Sequence, residues 1–170
     1  MKAQIRIIAL ALLLTGISIS TFAQVSATAS ASATIVTPIA ISKTVDMNFG
    51  NVAVSATAGT VVLTPAGSRS LTGGVTLPTI AGTVAAASFN VTGANNYTYT
   101  ITLPSTALTI TSGANTMSVN SFTSNPATTG TLSATGSQTL NVGATLNVSA
   151  SQAAGSYISA TPFTVTVNYN

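Results

Sequence analysis

Residues 25–35 alternate without a break. Val25, Ala27, Ala29, Ala31, Ala33 and Ile35 share one parity, and Ser26, Thr28, Ser30, Ser32 and Thr34 share the other. Successive side chains on a strand point to opposite faces, so this period of two predicts a strand with a small-residue apolar face. Pro38 interrupts the pattern, and Ile39 and Ile41 resume it. Met47 and Phe49 follow one strand step apart. Residues 60–64 (TVVLT) predict a short buried strand, and Pro65-Ala66-Gly67-Ser68 predicts a turn. Residues 70–77 predict a weaker strand crossed by Gly73-Gly74, the mark of a bulge. Residues 87–92 place Phe89 and Val91 inward, before a turn at Gly93-Ala94-Asn95-Asn96.

The middle of the chain holds its clearest strand. Tyr97, Tyr99, Ile101 and Leu103 alternate with Thr98, Thr100 and Thr102, and Pro104 ends the run. The shared parity predicts that both tyrosines face the core. Further short strands are expected over residues 107–111, 116–122, 130–134, 137–142 and 145–148. The last covers 162–169, with Phe163, Val165, Val167 and Tyr169 on one face. About ten close-spaced short strands without helical periodicity predict an all-β sandwich or barrel. Crossover helices for a parallel sheet are missing, and no fixed repeat suggests a solenoid.

Ahead of these strands lies a different pattern. Lys2 and Arg6 precede a mostly apolar stretch over residues 7–19, and Thr21-Phe22-Ala23 puts small residues at −3 and −1 of a cut before Gln24. This is the pattern of a Sec-type signal peptide over 1–23, and the stretch is short for a bilayer span. The expected organisation is therefore a signal peptide (1–23), an N-terminal strand (24–37) and a β-domain (38–170). The expected location is the bacterial cell surface or the medium, with no membrane span once the signal is removed.

Removing residues 1–23 leaves 147 of 170 residues, enough for one domain with a real core. It also removes two of the four basic side chains, so the formal charge falls from +3 to +1. The remaining charged residues are Lys43, Asp46 and Arg69, too few for the basic stripe that nucleic acid requires. Cys and His are absent. One carboxylate cannot make a glycosidase pair, no His activates a Ser or Thr, and zinc lacks a ligand set. The composition therefore predicts a non-enzymatic protein without cofactor, metal or catalytic residue. Lys43 and Asp46 read as a solvated strand end. Gly73-Gly74 beside Arg69 admits an anion nest or, more simply, a hairpin bulge.

Sheet edges in soluble proteins are usually guarded by Lys, Pro or bulges. Here nearly every strand lacks a charged gatekeeper, which favours a subunit whose edges a neighbour covers.

The order of several motifs carries a resemblance. They are ATIVTPIAISKTVDMNFGNV (33–52), FNVTG (89–93), YTITLP (99–104), MSVNSF from Met117, LNVGATLNV (140–148), and AAGSY with FTVTVNY towards the end. Together they resemble the bacterial domain-of-unknown-function 4402 family. That family is similar to fimbrial major subunits and to spore-coat-like secreted domains. They share an early Phe-Gly step, here Phe49-Gly50, and a Gly-x-Tyr, here Gly155 and Tyr157, ahead of a final alternating strand. The resemblance implies a pilin-like, immunoglobulin-like antiparallel β-sandwich exported through the envelope. In chaperone–usher pilins a neighbour's N-terminal extension fills a groove in an incomplete sandwich. By that likeness residues 24–36 are the candidate donor strand, with Val25, Ala27, Ala29, Ala31, Ala33 and Ile35 as its apolar face. Phe163, Val165, Val167 and Tyr169 then border the groove. The expected partners are further copies or related surface subunits, with a periplasmic chaperone. Residues 24–36 read equally as the first strand of a complete sandwich. The competing function is a monomeric secreted module that binds a glycan or surface. An ice-binding face, suggested by Thr-x-Thr at 98–102 and 164–166, lacks the sequence repeat that a regular array needs.

Overall fold

The computed structural model describes residues 23–170. Two units are distinguished along the chain, with the boundary between Thr34 and Ile35. Among the described residues every strand pairing is antiparallel and no helix occurs. The strands are β1 (Ala40–Val45), β2 (Asn48–Phe49), β3 (Ala53–Leu63), β4 (Arg69–Thr76), β5 (Val84–Ala85) and β6 (Ala87–Thr92). They continue as β7 (Thr98–Thr102), β8 (Leu108–Ser112), β9 (Asn115–Asn125), β10 (Thr129–Thr131), β11 (Ser137–Val148) and β12 (Thr166–Tyr169).

The two strands expected over 137–142 and 145–148 are one, because Gly143 and Ala144 carry the alternation through. Leu140, Val142, Ala144, Leu146 and Val148 are all buried on one face of β11. This long strand organises the seven-stranded sheet. β6 pairs with Ser137 to Val142, and β3 pairs with Ala144 to Val148. β9 pairs across both stretches, from Asn141 to Asn147, so it must occupy the opposite edge of β11. β6 and β3 therefore lie end to end along one edge, with Gly143 at the junction. A Cβ there would meet the Leu63 carbonyl oxygen and lie 2.6 Å from the Thr64 carbonyl carbon. Only glycine lets the chain leave β3 so close to β11. β1 extends the sheet beyond β6, β4 beyond β3, and β8 beyond β9.

The second sheet is β10-β7-β12, and β2 pairs with β5. One core cluster draws from both larger sheets. It holds Ala87 and Val91 of β6, Leu140 and Val142 of β11, Tyr99 of β7, Val167 of β12, Leu132 and Val165. The other comes from the seven-stranded sheet alone, which curls so that Val61, Val75, Val119, Ala144, Leu146 and Val148 converge, with Phe49 packed on them. Met47 and Phe122 pack against both clusters and join them.

Several expectations change at the boundaries. The strand expected over 60–64 starts earlier, at Ala53, and bulges: four residues between Val54 and Gly59 stand opposite the single Gly74 between Gly73 and Val75. The final strand starts at Thr166, although Val165 and Phe163 still pack in the first cluster. Tyr97 precedes β7 and is 46% exposed, whereas Tyr99 is fully buried. No strand forms over 23–39, and Val25, Ala27, Ala29, Ala31, Ala33 and Ile35 are all exposed. Alternation sets which side chains share a face, but a strand also needs a neighbour for its ladder.

Candidate functional site

Among the described residues the charged side chains are Lys43, Asp46 and Arg69; the first two pair with each other and the third does not. Lys43 Nζ lies 2.6 Å from Asp46 Oδ1, with the side chains 53% and 80% exposed. A pair so open to water contributes little. The Arg69 guanidinium instead donates to the backbone oxygens of Phe49, at 2.6 Å, and Asn51, at 3.0 Å. The Asn48 side-chain oxygen accepts from Gly50 N at 2.8 Å. Gly50 sits at φ 68°, and a Cβ there would meet the Ala81 carbonyl oxygen and lie 2.6 Å from Val84 Cγ2. The Phe49-Gly50 step is thus a pinned corner with no room for a side chain.

These contacts decide between the two readings of Gly73-Gly74. Arg69 is engaged by the corner, and Cβ atoms on the glycines would run into the carbonyl oxygens of Ala58 and Thr57. The glycines let β4 pass against the bulge of β3, which is the hairpin reading.

Gly155 and Tyr157 fasten the connection between β11 and β12. Tyr157 donates its hydroxyl to the Ala153 carbonyl at 2.7 Å and accepts from Gln152 Nε2 at 2.8 Å. Gln152 also reaches the Thr116 carbonyl. Next to this knot, Thr111 and Ile158 exchange both backbone hydrogen bonds, at 2.9 and 3.0 Å. A side chain at Gly155 would collide with Ser112 Oγ.

Of the candidate groove residues, Val165 and Val167 are buried, and Phe163 and Tyr169 are half-buried against the same cluster. Phe163 packs on Phe122, centroids 5.0 Å apart, and edge-on to Phe89 at 6.4 Å. The Tyr169 hydroxyl accepts from Ala94 N and donates to the Thr37 carbonyl at 2.8 Å. β12 pairs with β7 alone, so its other edge has no strand partner among the described residues. A depression of about 390 Å³ opens beside its approach, between Leu103, Pro104, Leu108, Pro162 and Phe163. No titratable side chain lines it.

Strand pairing brings together threonines far apart in the chain. Thr100 stands between Thr129 and Asn168, Thr98 beside Thr131, and Thr102 beside Thr166. All are exposed on the outer face of the β10-β7-β12 sheet, which carries no charge. Register across three strands thus supplies a regularity that the linear sequence lacks. On the inner face, the Tyr99 hydroxyl donates to Gln138 Oε1 at 2.7 Å, and that oxygen also accepts from Thr131 N at 3.0 Å. Burial pushes the Tyr99 pKa above its ordinary 10.0.

The family model for the domain of unknown function DUF4402 matches residues 39–169. The chain belongs to the DUF4402 family. The match begins just past Pro38 and takes in both the Phe49-Gly50 corner and the Gly155–Tyr157 knot of this DUF4402 domain. No match was found among curated proteins or among solved structures. The motif residues were legible in the sequence. The roles of Arg69, Gln138 and Gln152 were not, because the groups they engage lie on other strands or loops.

Proposed function

We propose that this DUF4402 protein is an exported structural subunit, fimbria-like, that assembles at the bacterial surface by β-strand addition. Residues 24–36 of one copy would complete an immunoglobulin-like sandwich of the next. The observation that carries the reading is a pair of unmatched halves. One is a strand-patterned segment that forms no strand. The other is the final strand β12, paired on one edge only, with its apolar residues in the core. Main-chain hydrogen bonds along such an edge would supply affinity, and the apolar face of the added strand would supply register. The immunoglobulin-like reading also draws support from Tyr157, whose hydroxyl ties back to the backbone four residues upstream at the turn towards the last strand. A cut before Gln24 would put the segment at the new amino terminus. The proposed signal peptide lies in residues 1–23, almost wholly outside the described residues.

The test is the mass distribution of chain 24–170, with and without residues 24–36, by light scattering and electron microscopy. Fibres or a ladder of oligomers that vanish on deletion are expected. A full-length monomer that the deletion destabilises would overturn the reading and make the segment part of its own domain.

One observation favours a second reading, a monomeric binding module. The uncharged threonine face, with the half-exposed Tyr97 edge-on to Tyr169 at 5.5 Å, offers hydroxyls and an aromatic edge to a flat polar partner. Glycan-array and thermal-hysteresis assays on the monomer address it, and silence in both removes it.

A further inference from the structure

Gln24 becomes the amino-terminal residue if export cuts after Ala23, and an amino-terminal glutamine has chemistry of its own. Its side chain is exposed, it lies outside every strand, and its backbone makes no hydrogen bond among the described residues. We propose that the exported protein carries a pyroglutamate at residue 24. The proposal rests on the export reading above. Once the Ala23–Gln24 peptide bond is cut, the new α-amino nitrogen can reach the side-chain Cδ of the same residue and close a five-membered ring. The neutral amine adds to Cδ, the bond from Cδ to Nε2 breaks, and that nitrogen takes the amine's proton and leaves as ammonia. Nothing is oxidised or reduced, and no co-reactant is consumed. An α-amino group titrates near pH ~8, so part of the population holds the nucleophilic neutral form at neutral pH.

The ring changes the physics of the segment it caps. A free ammonium beside Val25 would resist leaving water, because an unpaired charge is costly to bury. The lactam is neutral and keeps one N–H and one C=O for a strand ladder. It also leaves no amine for an aminopeptidase or an acylating reagent. The modification therefore suits a chain end that packs against a neighbour.

The test uses protein exported from a bacterial host by its own leader. Amines are labelled on the intact protein before digestion, so that cyclisation during workup does not count. Lys43, the first basic residue after the cut, takes the label too and is no longer a tryptic site, so trypsin releases the first peptide at Arg69. The expected peptide starts at residue 24, weighs one ammonia less than the open form, and bears no label at its end. Gln24→Ala should leave the cut in place and yield a fully labelled end. A peptide that starts at an open, labelled Gln24 overturns the proposal while the export reading stands. A peptide that starts elsewhere overturns the assigned cut and the proposal with it.

Discussion

Gly50→Ala should cost clearly more stability than Gly67→Ala, although both glycines sit at positive φ, 68° and 82°. The two substitutions share their backbone terms. A left-handed conformation costs an L-residue about 1–2 kcal/mol, and restricting the unfolded chain returns about 0.4–1 kcal/mol. They differ in what the new methyl meets. At Gly67 nothing lies within 4 Å. At Gly50 the Cβ would strike the Ala81 carbonyl oxygen, with Val84 Cγ2 at 2.6 Å and Arg69 Nη1 at 3.0 Å. Forcing a group into a packed site costs typically about 1–3 kcal/mol. Gly50→Ala should therefore lose roughly 2–4 kcal/mol, and Gly67→Ala about 1 kcal/mol. The gap is at least a factor of about five in the unfolding equilibrium. Urea titration of chain 24–170 followed by far-ultraviolet circular dichroism measures it, provided the slope m is unchanged between variants. Equal losses would refute the reasoning, since the corner would then have room for a methyl and its glycine would serve φ alone.

Arg69→Met should cost about 2 kcal/mol, because it leaves the carbonyls of Phe49 and Asn51 without their charged donor. Lys43→Ala should stay within about 0.5 kcal/mol on the same titration, and a loss as large as that of Arg69→Met would contradict the solvated reading of its ion pair. Tyr99→Phe should lose about 1 kcal/mol with the bond to Gln138. It should also flatten the alkaline limb. Burial raises the folded Tyr99 pKa above 10.0, so the unfolded chain gives up this proton first. The stability contributed is full below pH 10.0 and falls as pH rises through the folded value. Unfolding titrations between neutrality and strong alkali on both proteins check this, and an unchanged limb in the variant would assign it to other groups.

Much of this architecture is written in the alternation. The runs at 87–92, 97–103, 137–142 and 145–148 announce strands, and the Gly and Pro clusters announce their turns, because a period of two is a local consequence of backbone geometry. The class, the Phe49-Gly50 and Gly155–Tyr157 motifs and the family followed from the residues in order. Alternation says which side chains share a face and leaves open which strands become neighbours. That choice is made by burial and by ladder hydrogen bonds between distant segments. Only the tertiary structure could therefore join 137–142 to 145–148 as one strand through Gly143, or curl the seven-stranded sheet around Val61 and Leu146. It alone sent Arg69 to the carbonyls of Phe49 and Asn51 and laid Thr98, Thr131, Thr102 and Thr166 on one face. The segment 24–36 shows the division most plainly. Its sequence carries the strand pattern as fully as any other, yet it forms no strand, because a period of two supplies the face and cannot supply the partner.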